Sequence, residues 1–272
     1  MWLIAFLLSS GVFFFFAYRL LGRKLTAYFA LDPEARTPAH EHRDGLDFEA
    51  AKKSYLLPQH FSAIAAAGPI VGPILAGTLF GWLPTWIWIL VGSVLIGGIH
   101  DFTTLIASVR HGGRSIAEVV RQYMNGRSFT LFLLFIWVSL VYVLIAFTDV
   151  TAGTFVQAAA SASAAAPGPA VATSSMVYLA LALFMGLALR FTGMSALQAK
   201  LVFLPLVFVA IWIGPLAPLD LSGVAGGSPQ RLWNHILIAY CFFASLAPLW
   251  LLLQPRGYLG GYFLYLVLIA GL

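Results

Sequence analysis

The residues best suited to proton chemistry lie inside or at the edge of long apolar runs. His100 and Asp101 are adjacent within one run, and His60 lies at the start of an earlier one. Ionisable side chains inside a membrane are energetically unfavourable, so they are functional candidates by default. A carboxylate there must be paired, protonated or hydrated, and it can exchange a proton with a neighbouring histidine. We therefore predict ion or proton coupling by His100 and Asp101. The alternative is that Asp101 pairs with a basic loop residue.

Two of the apolar runs contain residues that interrupt a helix. Two Gly-Pro pairs stand one turn apart in residues 68–73, and Pro69 removes the hydrogen-bond donor to the carbonyl of Ala65. A later run contains Pro248, which removes the donor to the carbonyl of Ala244, and this run ends at residues 254–257. Non-helical backbone at membrane depth is tolerated only where it is buried in protein or lines a cavity.

These interruptions predict an unwound segment from Gly68 to Pro73 and a second break from Ser245 to Pro248, both lining a site near the membrane midplane. Two unrelated kinked helices are the alternative. The predicted substrate-binding or translocation residues are His60, Ala65, Gly68, Pro69, Gly72, Pro73, Ser245, Pro248 and Gln254.

Composition defines the environment of these residues. Of the 272 residues, 61% are apolar and 9% are charged, whereas about a quarter are charged in a soluble domain. This deficit excludes an ordinary cytosolic enzyme, a nucleic-acid-binding protein and a disordered tail. Cys241 is the single cysteine, so an internal disulfide and a cysteine-based metal cluster are excluded. No cofactor, metal site or catalytic residue is predicted.

Apolar runs long enough to cross a bilayer recur along the chain. A hydrocarbon core about 30 Å thick requires about 20 apolar residues in a helix. We predict an all-α polytopic membrane protein with about eight transmembrane helices. They are residues 2–21, 59–82, 85–109, 128–148, 175–192, 199–216, 233–253 and 258–272. The last run reaches Leu272 without a polar cap, which indicates an incomplete chain.

The basic residues give these spans an orientation. Fourteen of the fifteen lysines and arginines fall on one side of the predicted topology, and Arg231 alone falls on the other. The positive-inside rule places the basic side in the cytoplasm and the N-terminus outside. Residues 1–18 carry no charged side chain and the basic cluster follows them, so residues 1–21 are predicted to be a retained anchor and not a cleaved signal peptide.

Shorter segments between the spans also have recognisable patterns. Residues 22–57 are predicted to be a cytoplasmic loop. Residues 115–125 predict a short interfacial helix capped by Ser115. Residues 158–174, rich in alanine, serine, glycine and proline, predict an external linker or an extension of the preceding helix. Asp149 is predicted to be interfacial, at the external end of the fourth span.

The two interrupted spans are the second and the seventh. An offset of five reverses their direction across the membrane. Interrupted segments at corresponding positions of oppositely oriented halves are typical of secondary transporters with a midplane site.

Residues 60–76 resemble the signature of the carbon starvation protein CstA family. Leu83-Pro84 and residues 100–102 follow at the spacing that this family shows, and residues 249–259 are similar to its second block. The resemblance covers most of residues 44–265. It implies an inner-membrane permease of the amino acid-polyamine-organocation superfamily with a LeuT-like core of two inverted five-helix repeats. It also implies uptake of peptides or pyruvate during carbon starvation, with proton coupling.

On that fold, residues 58–216 are the first repeat and residues 217–272 begin a second one, so the chain alone is not expected to transport. Some residues depart from the family pattern. Gln59-His60 stands where the family usually shows two histidines, Gly257 where it usually shows aspartate, and His100 where it more often shows glutamine.

The leading hypothesis is a proton-coupled secondary permease in the inner membrane. Its partners are the lipid bilayer, a small peptide or pyruvate, and a coupling proton or cation. Half-helix N-termini favour a carboxylate and freed carbonyls favour an ammonium group or cation, so a zwitterionic peptide satisfies both, whereas pyruvate satisfies only the first. The alternatives are a nutrient-state sensor that uses residues 22–57 as a partner surface, and a non-transporting fragment. An enzyme is disfavoured because the chain has neither a His-Glu-x-x-His nor a Gly-x-Ser-x-Gly motif.

Overall fold

The structure is a computed structural model that describes residues 2–44, 48, 50, 53–156, 167–224 and 226–271. Its regular elements in these residues are helices. In chain order they are α1 Trp2–Tyr28, α2 Pro38–Glu41, α3 Lys53–Ile64, α4 Ala67–Phe80, α5 Trp82–Val91, the π segment Gly92–Gly98, α6 Ile99–Arg110, α7 Ile116–Arg121, α8 Gly126–Val156, α9 Pro167–Phe191, α10 Ala196–Leu216, α11 Pro229–Leu246 and α12 Leu253–Gly271.

Six helical stretches in the described part of the chain are long and apolar enough to cross a membrane. They are Ile4–Tyr28, Lys53–Phe80, Trp82–Arg110, Gly126–Val156, Pro167–Phe191 and Ala196–Leu216. The prediction of an all-α polytopic membrane protein is therefore confirmed. The other two expected spans correspond to α11 and α12, which are not among the six. The polar residues Gln230, Arg231 and Asn234 lower the hydropathy of α11, and this helix ends early, at Leu246.

Several helices extend beyond the predicted spans. Helix α1 continues to Tyr28 and α3 begins at Lys53, so residues 22–28 and 53–57 of the expected loop are helical. Helix α9 begins at Pro167, so residues 167–174 are helical as well, because proline fits the first helical position. Residues 157–166 of the expected linker lie outside the described residues. A short helix is present where residues 115–125 were expected to form one, but it covers only Ile116–Arg121 (α7), and its interfacial position stays a prediction. The side chain of Ser115 accepts a hydrogen bond from the Glu118 amide at 3.4 Å.

The chain forms two compact units. The first comprises Met1–Ala50 and Ala67–Phe135, and the second comprises Ala51–Ala66 and Ile136–Leu272. In the first unit, α4 and α5 are joined by Gly81 alone, whose φ of 84° lies in the left-handed region that favours glycine. Because this connection is a single residue, α4 and α5 also contact each other in space.

In the second unit, α3 packs on α12 and α9 packs on α10. Close packing depends on glycine, because a Cβ at Gly261 would overlap the carbonyl of Pro58 on α3, and one at Gly214 would overlap Ser174 on α9. Small residues at such contacts let helix backbones approach closely, which is the usual basis of helix association in membranes. A buried cluster containing Met185, Phe203 and Leu259 joins α9, α10 and α12.

Candidate functional site

The break in the second span lies at Ala65 and Ala66, between the end of α3 and the start of α4. The predicted unwinding of Gly68 to Pro73 is therefore wrong, because these residues form the first two turns of α4. If Ala65 were helical, its carbonyl would clash with the ring of Pro69. Pro69 itself is the third residue of α4, where an N–H would have no partner within the helix. The helix therefore restarts ahead of the proline, and Ala65 is the predicted site residue that lies in the break.

The second predicted break is present, at residues 247–252. Helix α11 ends at Leu246, Ala247 is extended with φ −74° and ψ 141°, and α12 begins at Leu253. Pro248 thus lies in the break, and Ser245 lies in the last turn of α11. The expectation that the Ala244 carbonyl is free is wrong, since it accepts the Ala247 amide at 3.3 Å.

Residues 254–257 do not end a helix as predicted. They form the first turn of α12, with Gln254 as its second residue and Pro255 as its third. Proline is tolerated there for the same reason as in α4, because the first amides of a helix have no acceptor within it.

The non-helical segment 247–252 is covered by α9. A Cβ at Gly186 would lie 3.0 Å from the carbonyl oxygen of Trp250, so the two backbones are in direct contact. The Arg190 guanidinium lies 5.6 Å from the centre of the Trp250 ring. Within the segment, the Leu251 amide donates to the Pro248 carbonyl at 3.0 Å. These contacts supply the protein cover and the internal bonds that irregular backbone in a membrane requires.

His60 lies on α3 beside residues that contact α12. Gln59 packs against Gly257, where a Cβ would lie 3.1 Å from Gln59 Cγ. Phe61 stacks on Tyr265 with ring centres 4.6 Å apart. His60 itself is exposed. In the second unit, therefore, its imidazole is accessible while its neighbours hold the half-helix in place.

The side chains of His100 and Asp101 are in contact, with His100 Nδ1 3.1 Å from Asp101 Oδ1. Their side chains are 69% and 45% exposed, so both remain accessible to a ligand or a proton. The alternative partner suggested by the sequence was a basic loop residue beyond residue 109. Arg110, the nearest such residue, donates instead to the carbonyl of Phe29.

The π segment Gly92–Gly98 lies directly before His100 and Asp101. Short π-helical turns inside α-helices are rare and occur frequently at functional sites. The Thr104 hydroxyl donates to the His100 carbonyl at 2.8 Å, so α6 resumes with an additional side-chain bond just beyond the π segment.

The predicted residues fall in both units. Gly68, Pro69, Gly72, Pro73, His100 and Asp101 belong to the first unit, and His60, Ala65, Ser245, Pro248 and Gln254 belong to the second. A joint midplane site, and a proton exchange between Asp101 and His60, stay predictions.

Asp149 is part of a polar cluster that sequence reasoning missed. Helix α8 continues beyond it to Val156, so Asp149 does not end the span as predicted. Its Oδ1 accepts hydrogen bonds from Gln230 Nε2 at 3.0 Å and from Asn234 Nδ2 at 3.1 Å. The available signal was the spacing of Gln230 and Asn234, four residues apart on one face of a helix. This cluster joins α8 to α11, the helix that leads into the second break.

Among the described residues, no group of three or more histidine, cysteine, aspartate or glutamate side chains could hold a metal ion.

The match to a known family extends over the whole chain. The family described as carbon starvation protein CstA matches residues 1–272. The chain belongs to the carbon starvation protein CstA family. Its match over every residue agrees with the resemblance carried by residues 60–76 and 249–259.

Relatives within the family have transporter names. The chain is 34% identical to the peptide transporter CstA of Escherichia coli strain K12 over 290 residues, covering 100% of this chain and 37% of that protein. It is 32% identical to the peptide transporter CstA of Bacillus subtilis strain 168, covering 98% of this chain and 44% of that protein. It is also 32% identical to the pyruvate/proton symporter BtsT of Escherichia coli strain K12, covering 89% of this chain and 32% of that protein.

The chain thus spans less than half the length of these relatives. No solved structure matches it.

Proposed function

We propose that the chain supplies the broken-helix part of a secondary active transporter that imports small peptides or pyruvate across the inner membrane with proton coupling. Membership of the CstA family supports this proposal. So do two kinds of relatives, one named as a peptide transporter and the other as a pyruvate/proton symporter. We further propose a LeuT-like arrangement, in which residues 58–216 form one inverted repeat and residues 217–272 begin the next. Helix α1 is the N-terminal anchor, and the stretch between α1 and α3 is cytoplasmic.

The observation that carries the proposal is the interruption of two helical stretches, at Ala65–Ala66 and at residues 247–252. The charge pattern assigns these stretches opposite directions across the membrane, and interrupted helices in oppositely oriented repeats are typical of midplane substrate sites. An N-terminus outside and a basic cytoplasmic face follow from the same charge pattern.

The substrate class follows from the chemistry of the helix ends. The first amides of α4, from Ala67 onward, lack partners within the helix and favour a carboxylate. The last carbonyls of α3 favour an ammonium group or a cation. A zwitterionic peptide can use both ends, whereas pyruvate uses only the amides. Peptides are therefore the preferred substrate class, with pyruvate as the second.

Proton coupling is assigned to the His100–Asp101 pair. A carboxylate and an imidazole at 3.1 Å can share or exchange one proton, and imidazole changes its charge in the physiological pH range. Protonation would remove the carboxylate charge and weaken the pair. The π segment immediately before the pair is a place where the helix can change its hydrogen-bond register.

Uptake into proteoliposomes tests the proposal. One preparation contains the chain alone, and the other contains a chimaera in which the chain replaces the matching segment of the E. coli peptide transporter CstA. Labelled dipeptides, tripeptides and pyruvate are offered with and without an inward proton gradient. We expect the chimaera to accumulate one of these substrate classes and to lose the accumulation when a protonophore collapses the gradient. A correctly inserted chimaera that takes up neither class contradicts the proposal.

A further inference from the structure

The first unit contains a cavity of about 1160 Å³ that the proposed transport mechanism does not use. One wall is formed by α1 from Phe14 to Ala27, together with Ala30 and Leu31 just beyond the end of that helix, and the other by the π segment and the start of α6. Small-molecule pockets have volumes of about 300–1,000 Å³. The cavity is thus large enough for a long ligand.

The way in which α1 is attached explains the cavity. Near its N-terminus, Phe6 packs edge-on against Trp82 at 5.1 Å, and Trp86 Nε1 donates to Ser10 Oγ at 2.9 Å. Near its C-terminus, Phe29 packs against Phe102 at 6.0 Å. The helix is therefore held near both ends, and the cavity lies between it and the π segment.

The wall opposite the middle of α1 has small side chains. Ser93, Val94 and Gly98 line the cavity from the π segment. A π-helical turn is wider than an α-helical one, and Gly98 has no side chain with which to fill the gap. The wider π turn and the absence of a side chain at Gly98 together leave the space that forms the cavity.

The chemistry of the lining is amphipathic. Phe14, Leu21, Leu25, Leu31 and Phe102 are apolar, whereas two cationic residues of α1, Arg19 and Arg23, are exposed along the same lining. The guanidinium of Arg19 lies 5.4 Å from the centre of the Phe15 ring. No acidic residue is among the described residues that line the cavity. Its two positive charges are therefore not neutralised from within it.

We propose that this cavity binds an anionic phospholipid, with an acyl chain along the apolar wall and the phosphate group at Arg19 and Arg23. The apolar lining suits an acyl chain, and basic pockets between membrane helices bind the head groups of anionic lipids. A zwitterionic lipid is less suitable because its cationic group approaches the same arginines. A small soluble anion lacks the chain that would fill the apolar part of the cavity.

Lipid binding to the purified chain in detergent, measured by native mass spectrometry, tests the proposal. The chain is titrated with phosphatidylglycerol and, separately, with phosphatidylcholine. We expect tighter binding of phosphatidylglycerol, and we expect R19Q/R23Q to weaken it by about tenfold or more, since each basic contact near a membrane surface contributes about fivefold. Lys24 has the same charge and lies beside Arg23, but it does not line the cavity. K24Q is therefore the matched control and is expected to retain the wild-type affinity.

A second pair of variants tests the acyl-chain part of the cavity. Gly22 lines the cavity and Gly11 does not, and a Cβ at either position on α1 would meet no atom within 4 Å. A side chain added at either position therefore begins in open space, and at residue 22 it begins at the lining of the cavity. We expect G22L to lose binding and G11L to retain it.

The proposal is overturned if phosphatidylcholine binds as tightly as phosphatidylglycerol, or if R19Q/R23Q and G22L both bind like the wild type. Neither result depends on substrate uptake, so failure here leaves the transport proposal to its own experiment.

Discussion

Gln59 and Gly257 are in contact where α3 packs on α12, and a Cβ at Gly257 would lie 3.1 Å from Gln59 Cγ. Both are positions at which the sequence was expected to depart from the CstA family pattern. The absence of a side chain at residue 257 leaves room for the methylene groups of Gln59. Because the two positions meet at one contact, we predict that the residues there compensate for one another.

The contact predicts unequal effects of single and paired substitutions. Gly257→Asp alone is expected to lower the free energy of unfolding by about 1–3 kcal/mol, because the added side chain must displace Gln59. Combining it with Gln59→His restores the usual pair, which can bond across the contact, so the double variant should be less destabilised. Equilibrium unfolding in mixed detergent micelles measures both. Strictly additive effects would show that the two positions are independent.

Closer to the centre of the same helix pair, Gly261 lies against the backbone of Pro58. Gly261→Ala is expected to destabilise the second unit by about 1–3 kcal/mol, because the new methyl group overlaps a carbonyl and forces α3 and α12 apart. Near the end of α12, a Cβ at Gly271 would meet no atom within 4 Å. Gly271→Ala is thus the control, and an equal loss of stability in both variants would contradict the packing argument.

Asp149 is expected to stabilise the contact between α8 and α11. Asp149→Ala removes the acceptor of two amide hydrogen bonds and should lower the free energy of unfolding by about 1–3 kcal/mol. In a double-mutant cycle with Asn234→Ala, we expect a coupling energy of at least about 0.5 kcal/mol. Asp220→Ala is the comparison, since the Asp220 carboxylate bonds to Ser222 within its own loop. Zero coupling between Asp149 and Asn234 would show that the observed bonds add no stability.

These residues illustrate how much of the fold and the site could be predicted from the sequence. The two helix breaks were predicted because proline has an effect that depends only on its neighbours in the chain. The position of the first break was wrong by a few residues, because the chain can place Pro69 in the first turn of a new helix as easily as in an unwound segment. The partners of Asp149 could not be predicted, since Gln230 and Asn234 are brought to it by tertiary packing.

The two prolines of the second span differ in their distance from the break. Pro69 stands next to it, whereas Pro73 lies inside α4. Pro69→Ala should let the helix continue across Ala65 and Ala66, and it is therefore expected to abolish uptake by the chimaera. Pro73→Ala should retain most of the uptake, because the break does not depend on it. Both variants should insert normally, which cysteine labelling from each side of the membrane can verify. Equal uptake by the two variants would remove the break at Ala65–Ala66 from the mechanism.

The variant Asp101→Asn tests whether the His100–Asp101 contact carries the coupling proton or only stabilises the structure. Asparagine keeps the size of the side chain and can still bond to His100, but it cannot release a proton. We expect the chimaera with this substitution to lose gradient-driven accumulation and its dependence on external pH, while substrate exchange without a gradient continues. His100→Gln should shift the pH dependence without abolishing accumulation, because the carboxylate remains. Glu118→Gln, at an exposed position on α7, is the control for loss of one acidic charge and should behave like the wild type. If Asp101→Asn lowers exchange and accumulation to the same extent, the pair serves the structure and the coupling proton is carried elsewhere.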